Sequence, residues 1–440
     1  MTDYIEPRIL KGFRDFLPQA ESIRRSLMEK IEKTFLSFGF LPIDTPALEY
    51  AEILLGKGGG ETEKQIYRFK DNGERDVALR FDLTVPFARF AALHRSELVF
   101  PFKRYHIGKA WRGENTQRGR YREFMQCDVD IIGNESAASD FEILLLIKTV
   151  MQNLGVETAI HVNHRGLLNR FLSHIGQSEK LTDVLRAVDK LSKAGEDETL
   201  KNLTQITGDG NAKKIINFIR AKGNFTQTLD RITELLGGKC PESDRLASLY
   251  QFMIDAGFEE EPFILNPSIT RGLDYYTGVV FETFLTEMPE IGSVCSGGRY
   301  DNLCALFSKD KTPVSGIGTS LGLDRLIAAL ENLGKLPGTN GCRTAIACVD
   351  AEKSGMYQAL AQKLRKAGVA AEVFFDSGSS SEKSGDKQLV KQFVLAEKKG
   401  LKYVIIPGDD SSYGNLALRD ICARKTFEMS FEEAVKTILT

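Results

Sequence analysis

Apolar residues recur at helical spacing over residues 21–38, where Ile23, Leu27, Ile31, Phe35 and Phe38 share one face and Gly39 ends the run. The pattern predicts a helix there, then a strand over 40–45 entering Pro46. Strands are expected at 65–70 and 76–85 about the turn Asp71-Asn72-Gly73, followed by a helix at 86–93, a long hairpin at 102–132 and a helix at 138–154. From 163 to 257 the chain is rich in Lys, Asp, Glu, Leu and Ile at helical spacing with few strand signals, which reads as a helical insertion. Strands resume around 269–300, and a glycine-rich strand at 314–320 leads into a helix at 321–333. The segment 334–342 carries Pro337 and three glycines and marks a boundary. Beyond it, strands at 344–349, 370–375 and 402–406 alternate with helices at 353–367 and 386–399, the pattern of a small α/β domain.

Composition narrows the class of protein. A chain of 440 residues is too long for one ordinary core, so two or three domains are expected. With 42% hydrophobic and 27% charged residues it is globular, and a net charge of -2 argues against a surface devoted wholly to nucleic acid, DNA included. Local basic patches stay open; Lys383, Lys387 and Lys391 would form such a row on a helix, suited either to phosphates or to solvent. The cysteines number 7 and include no CxxC pair, which fits a reducing compartment rather than a disulfide or zinc framework. The N-terminus has no apolar signal core, and the longest apolar run, near Ile143–Ile147, is far too short for a bilayer. A soluble, cytoplasmic protein without membrane contact is expected. His161 and His164 sit in AIHVNH, which reads as strand and turn rather than a helical metal pair, so no resident protein-bound metal is expected.

Chemistry concentrates in the hairpin. Along RYREFMQCDVDI, alternation puts Arg120, Arg122, Phe124, Gln126, Asp128 and Asp130 on one face, and Tyr121, Met125, Cys127, Val129 and Ile131 on the other. The partner strand adds Arg112 and Glu114, with His106 on the polar parity, while VALRFDLT offers Arg80, Asp82 and Thr84 against Val77, Leu79, Phe81 and Leu83. A solvated sheet face explains such a stripe in part. Its gradient from cations to carboxylates also suits a ligand that is anionic at one end and NH-donating at the other.

These residues match a family. RYHIGKAWRGENTQRGRYREFMQCDVDIIG resembles the second signature motif of class II aminoacyl-tRNA synthetases, with its core at Trp111-Arg112-Gly113-Glu114. FLPIDTPALE (40–49) resembles the first motif and GTSLGLDRL (318–326) the third; RGLDYYTGVVFE (271–282) and GFRDFLP (12–18) resemble segments of the histidyl-tRNA synthetase family. The resemblance runs from about residue 9 into the C-terminal domain. It implies an α+β catalytic domain over 1–333, an antiparallel sheet flanked by helices and interrupted by the insertion at 163–257. A linker at 334–342 and an α/β anticodon-binding domain at 343–440 would follow.

It also implies a reaction and a division of labour. Histidine would be activated with ATP, accompanied by Mg2+, and transferred to tRNA(His) by a homodimer built on the first motif. Arg112 matches the arginine on the α-phosphate, Arg325 the one on the γ-phosphate, and Arg271 the one near the α-phosphate and the substrate carboxylate. Phe124 matches the ring under adenine and Glu114 the carboxylate at its amino group. Asp82, Thr84 and Gln126 match the positions for histidine's ammonium, and Asp130 and Tyr276, with Tyr275 beside them, those for its imidazole. Such a polar pocket rejects apolar analogues without an editing domain. Gln117 and Arg118, in the loop 115–119, match the approach to the tRNA acceptor end, and Arg120 and Arg122 fit either assistance at the phosphates or structural ion pairs. Asp82 and Asp130 stand where many bacterial members carry glutamate, which with QCDVDIIG looks closer to the eukaryotic-type branch and leaves open which carboxylate meets which nitrogen. The competing reading is a catalytically silent relative that serves as regulatory subunit of ATP phosphoribosyltransferase; such proteins typically lack both the C-terminal domain and an intact RGLDYY-type segment.

Overall fold

The computed structural model describes residues 4–56, 63–258, 263–270, 275–338, 344–375, 385–408 and 415–440. The chain divides into two compact units, Met1–Gly338 and Thr339–Thr440.

The first unit opens with α1 (Pro18–Ser37), which Pro18 starts without loss because the first turn needs no N–H there. After β1 (Leu41–Pro42) come β2 (Leu48–Tyr50), α2 (Ala51–Leu55), β3 (Arg68–Lys70) and β4 (Asp76–Leu79), a small antiparallel sheet in the order β2-β4-β3. Helix α3 (Thr84–Leu93) leads to the hairpin of β5 (Phe102–Trp111) and β6 (Glu123–Ile132), then α4 (Ala137–Asn153) and β7 (Thr158–His164). The insertion follows as α5 (Arg165–His174), α6 (Leu181–Asp189), α7 (Leu191–Ala194), α8 (Glu196–Thr207), α9 (Asp209–Ile219), α10 (Phe225–Leu235) and α11 (Pro241–Asp255). Strands β8 (Phe263–Leu265), β9 (Val279–Leu285), β10 (Cys295–Arg299) and β11 (Gly316–Gly322) and helix α12 (Leu323–Asn332) complete the unit.

The main sheet runs β1-β5-β6-β11-β10-β9-β7-β8. Its ladders are antiparallel except at the two ends, where β1 pairs with β5 and β8 with β7 in parallel. The α+β expectation therefore holds. One face of β6 presents Cys127, Val129 and Ile131 to Leu27, Ile31 and Phe35 of α1 and to Ile143, Leu144 and Ile147 of α4, all fully buried. Cys127 is thus a packing residue.

Three local expectations need correction. The strand read at 76–85 stops at Leu79, because Asp82 accepts the Val85 N–H at 3.0 Å and turns the chain into α3. Thr84 therefore opens a helix, and the polar stripe of Arg80, Asp82 and Thr84 comes from a turn rather than from alternation. The strand at 40–45 shrinks to Leu41–Pro42. The hairpin's second strand starts at Glu123, so Arg120 and Arg122 lie in the connecting loop, which a bridge between Gln117 and Arg120 closes.

The second unit has β12 (Thr344–Ile346), α13 (Ser354–Lys366), β13 (Ala371–Val373), α14 (Gly385–Lys398) and β14 (Tyr403–Pro407), as the alternation suggests. It adds β15 (Leu416–Asp420), β16 (Lys425–Met429) and α15 (Phe431–Leu439), which the sequence reading left unassigned. The sheet order is β13-β12-β14-β15-β16. Period-two alternation sends Ile346 and Ile405 toward Leu360 and Leu364 of α13 and Ile438 of α15, and Ala345 and Val404 toward Ala396 of α14. Lys387 and Lys391 are exposed on α14, whereas Lys383 lies outside the described residues.

Candidate active site

The face of β6 turned away from the core carries Gln126, Asp128 and Asp130, all buried. Above it opens a cavity of about 1000 Å³ within the first unit. Arg112, Glu114, Gln117, Phe124, Gln126 and Asp130 of the hairpin, Asp82 and Thr84 of the turn into α3, Tyr275 and Tyr276, and Arg325 at the start of α12 all line it. A space of that size with a few convergent polar groups is what a substrate site requires. Arg118 is not among the lining residues; it is exposed and pairs with Glu331 at 3.3 Å. Arg271 lies outside the described residues.

Cations from the hairpin and from α12 gather at the cavity. The Arg112 guanidinium donates through Nε to the Phe81 carbonyl at 2.9 Å and stands 5.1 Å from the Phe124 ring centroid, so two candidate ligand contacts brace each other. Arg120 lies 3.7 Å from Glu114. Arg325 donates to the Ser293 carbonyl. Burial, then repulsion from Arg120, pulls its guanidinium down to about 10, so it stays protonated at neutral pH but is primed for an anion. Asp324, beside it, pairs with Arg14 and accepts the Met125 N–H at 2.7 Å. That one carboxylate ties the start of α12 to β6 next to Phe124. Arg14 also lies 3.3 Å over the Tyr121 ring, and the Arg122 backbone N–H donates to the Gly12 carbonyl at 2.9 Å. The N-terminal arm thus braces the hairpin loop, and Arg122 belongs to that brace: its Nε donates to the Glu114 carbonyl at 3.2 Å.

Carboxylates line the cavity too. Burial raises Asp82 and Asp130 above the usual carboxylate range, against the Val85 N–H and Arg112 for Asp82 and against Arg104 and the Tyr300 hydroxyl for Asp130. Asp128 is pushed up to about 7 by burial, with Arg104 opposing. The backbone leaves room for these acids: a Cβ on Gly318 of β11 would lie 2.0 Å from Asp130 Oδ1. Gln126 donates to the Ser320 hydroxyl. Tyr275 and Tyr276 pack with centroids 4.8 Å apart.

His106 has the polar parity of its strand but does not line the cavity. His106 is buried away from the cavity lining, 3.0 Å from Asp44, and burial with the nearby Arg104 and Arg80 lowers it to about 3, so it is neutral. His164 accepts the Gly166 N–H at 3.1 Å and caps α5. His161 lines the cavity and meets the Asn266 amide at 2.9 Å. Residues not foreseen are Arg104, Tyr300, Arg14 and Asp324, together with Val188, Asp189 and Leu191 of the insertion on the cavity wall. Arg104 was legible in principle, since it shares the polar parity of its strand and stands opposite Asp130. The insertion's approach had no local signal.

An antiparallel sheet that presents arginines from a hairpin and from the helix after its glycine-rich strand, facing a carboxylate floor, is the catalytic architecture of class II aminoacyl-tRNA synthetases. The family model for histidyl-tRNA synthetase matches residues 12–326, and that for the anticodon binding domain matches residues 343–440. Hence the chain belongs to the histidyl-tRNA synthetase family. It is 48% identical to the histidine–tRNA ligase of Treponema denticola over 100% of this chain and 99% of that protein. The crystal structure of histidyl-tRNA synthetase from Nostoc superposes with a TM-score of 0.86 at 28% identity, covering 99% of each chain. An ATP phosphoribosyltransferase regulatory subunit/histidyl-tRNA synthetase from Bacillus halodurans shares the fold, with a TM-score of 0.74 at 22% identity over 92% of this chain and 98% of that one.

Proposed function

We infer that the chain is a histidine–tRNA ligase: it joins histidine to ATP as histidyl-adenylate, releasing pyrophosphate, and passes the histidyl group to tRNA(His). The single observation that carries this reading is one cavity lined by Arg112 and Arg325 together with Asp82, Asp130 and Tyr276. In the first step a histidine carboxylate oxygen attacks the α-phosphorus and pyrophosphate leaves. Both reactants are anionic, so fixed guanidinium groups do most where charge builds in the transition state. Arg112 takes the α-phosphate and Arg325 the γ-phosphate, with Arg271 the further α-phosphate and carboxylate contact that the family resemblance suggests. Phe124 stacks on adenine and Glu114 meets its amino group. Asp82, Thr84 and Gln126 hold the ammonium of histidine, and Asp130, Tyr276 and Tyr275 its imidazole.

Among the described residues no group of His, Cys, Asp and Glu could by itself hold a metal ion. Glu282 does line the cavity near Arg325, and a carboxylate there together with ATP's own phosphates suits magnesium. When bound, the ion offsets phosphate charge. Gln117 and Arg118 meet the tRNA acceptor end, and the second unit reads the anticodon. A homodimer is supported by exposed Leu41, Leu48 and Tyr50 in the first-motif region, and a cytoplasmic setting belongs to the same reading. No described helix is long and apolar enough to cross a membrane.

The test is ATP–pyrophosphate exchange with histidine, with the other amino acids as controls. Exchange with histidine alone is expected. No exchange with any amino acid, from a folded, ATP-binding preparation, would favour the regulatory-subunit reading instead.

A further inference from the structure

Arg104 has no assigned part in the reaction, yet it is wholly buried, in contact with Asp130 of the cavity lining. It stands opposite Asp130 in the β5–β6 ladder, and its Nη2 is 2.5 Å from Asp130 Oδ2. Its Cζ lies 4.2 Å from the Phe87 ring centroid, and Nη2 is also 3.4 Å from the Leu83 carbonyl. Nε and Nη1 have no hydrogen-bond partner among the described residues, and the Nη2–Oδ2 contact is an ion pair without hydrogen-bond geometry. The other Asp130 oxygen accepts the Tyr300 hydroxyl, 170 residues further along the chain.

A buried guanidinium left half-satisfied is a poor stability device. Replacing such an ion pair by apolar groups is often neutral or stabilising. It makes sense as a device for keeping a carboxylate charged where water cannot. Arginine suits the task because it does not deprotonate even when buried.

We propose that Arg104 is the positioning residue of the imidazole pocket: it keeps Asp130 ionised and aimed at the cavity, with the Tyr300 hydroxyl as a second tether. This rests on the reading of Asp130 as an imidazole contact and deepens it. An ionised Asp130 can only accept, so it selects the ring N–H of histidine. A protonated Asp130 would offer that N–H a donor as well as an acceptor and would weaken discrimination. The groups facing Asp130 are few. Arg104 comes from β5, Asp128 from β6 itself, and Tyr300 and Cys304 from the chain after β10, with Tyr275 and Tyr276 across the cavity and Asp82 and Arg112 beyond. Burial pushes the Tyr300 and Tyr275 hydroxyls well up and the Cys304 thiol to about 12, so these stay neutral. Arg104 is the fixed charge in direct contact, and Asp128 is the other group able to titrate near neutrality.

The experiment uses the full-length chain and pyrophosphate exchange followed from acidic to mildly alkaline pH. Substrates are histidine and a triazole analogue whose ring stays neutral over that range, which separates enzyme from substrate titration. The variants are Arg104→Met, Arg104→Lys, Tyr300→Phe and, to subtract the other carboxyl, Asp128→Asn. Arg104→Met is expected to raise KM for histidine by about tenfold or more with KM for ATP little changed, and to move the acidic limb of kcat/KM upward by about one pH unit. Arg104→Lys restores the limb but only part of the affinity, because the planar fork is lost. Tyr300→Phe moves the limb the same way by less, and Asp128→Asn leaves in place the limb that Arg104 controls. A limb unmoved in both Arg104→Met and Tyr300→Phe, a limb that vanishes in Asp128→Asn, or equal rises in KM for histidine and ATP would overturn the proposal. Should Arg104→Met not fold, a Tyr300→Phe protein with the wild-type limb and KM overturns it by itself. Wild-type protein that exchanges with no amino acid sinks the reading of the site; wild-type exchange with unaltered variants sinks only the role of Arg104.

Discussion

The two faces of β6 solve opposite problems within the same ten residues. On the face toward α1 and α4, Cys127, Val129 and Ile131 exclude water and ask nothing of their neighbours beyond shape. On the face that carries Gln126, Asp128 and Asp130 the side chains are just as buried but polar: Gln126 leans on Ser320, and Asp130 on Arg104 and Tyr300. The first face contributes stability. The second costs some, since desolvating carboxylates is unfavourable even when they are paired. Burial alone therefore does not separate core from site in this protein; partner chemistry does.

The sharpest break of this comparison is a double dissociation. Arg112→Ala should cut adenylate formation by about 10²–10³-fold while leaving thermal stability nearly unchanged, because it removes a group aimed at developing charge and no core contact. Ile131→Ala should do the reverse, costing about 2–5 kcal/mol of folding stability with adenylation per folded molecule little altered. Equal damage to both properties in either variant would erase the distinction between the faces. Calorimetry with single-turnover adenylation measures both.

A smaller effect sharpens the cavity face through pH. His106 and His164 are lowered to about 3 and about 4, so from pH 6.5 downward the unfolded chain binds protons that the folded chain does not, and stability falls as pH falls. Asp128 acts the other way: its folded value of about 7 lies above 3.8, so the folded chain binds more protons between those values and stability rises as pH falls. Removing Asp128 removes the opposing slope. Denaturant titrations of Asp128→Asn should show stability dropping more steeply on acidification from pH 6.5 than in wild type, by up to about 1.4 kcal/mol per pH unit. A shallower drop would mean that Asp128 is ionised in the folded state.

The smallest expected effect lies at the start of β6, on its cavity face. Phe124→Leu keeps an apolar side chain but loses the ring beside Arg112, and should raise KM for ATP by about five- to tenfold, roughly 1 kcal/mol, without a change for histidine. An unchanged KM would return Phe124 to a packing role.

Much of this was legible in the chain. The main helices and strands around the hairpin, the two faces of β6 and eleven candidate residues that line one cavity follow from periodicity and from motif resemblance. Errors fell where a side chain overrode the local pattern. Asp82 ended a strand that alternation would have carried to Thr84, because its carboxylate could satisfy the Val85 N–H. His106 had the parity of a site residue but pairs with Asp44 and lies off the cavity lining. The last two strands and helix of the second unit went unread, although Ser430 and Glu433 form a capping box at the start of α15 that announces it.

By itself, then, the sequence determined what depends on neighbours a few residues away: helix and strand periods, the split of each strand into two faces, and the residue types that charge and phosphate chemistry require at short spacing. Only the tertiary structure decided which of those groups meet. Asp130 is held by Arg104 across one ladder and by Tyr300 from the chain after β10, Arg14 reaches Asp324 over 310 residues, and helices of the insertion supply Val188 and Leu191 to the cavity. Such pairs carry no periodic signal, because their energy comes from desolvation and fixed charge in a space that exists only once the sheet has closed around it.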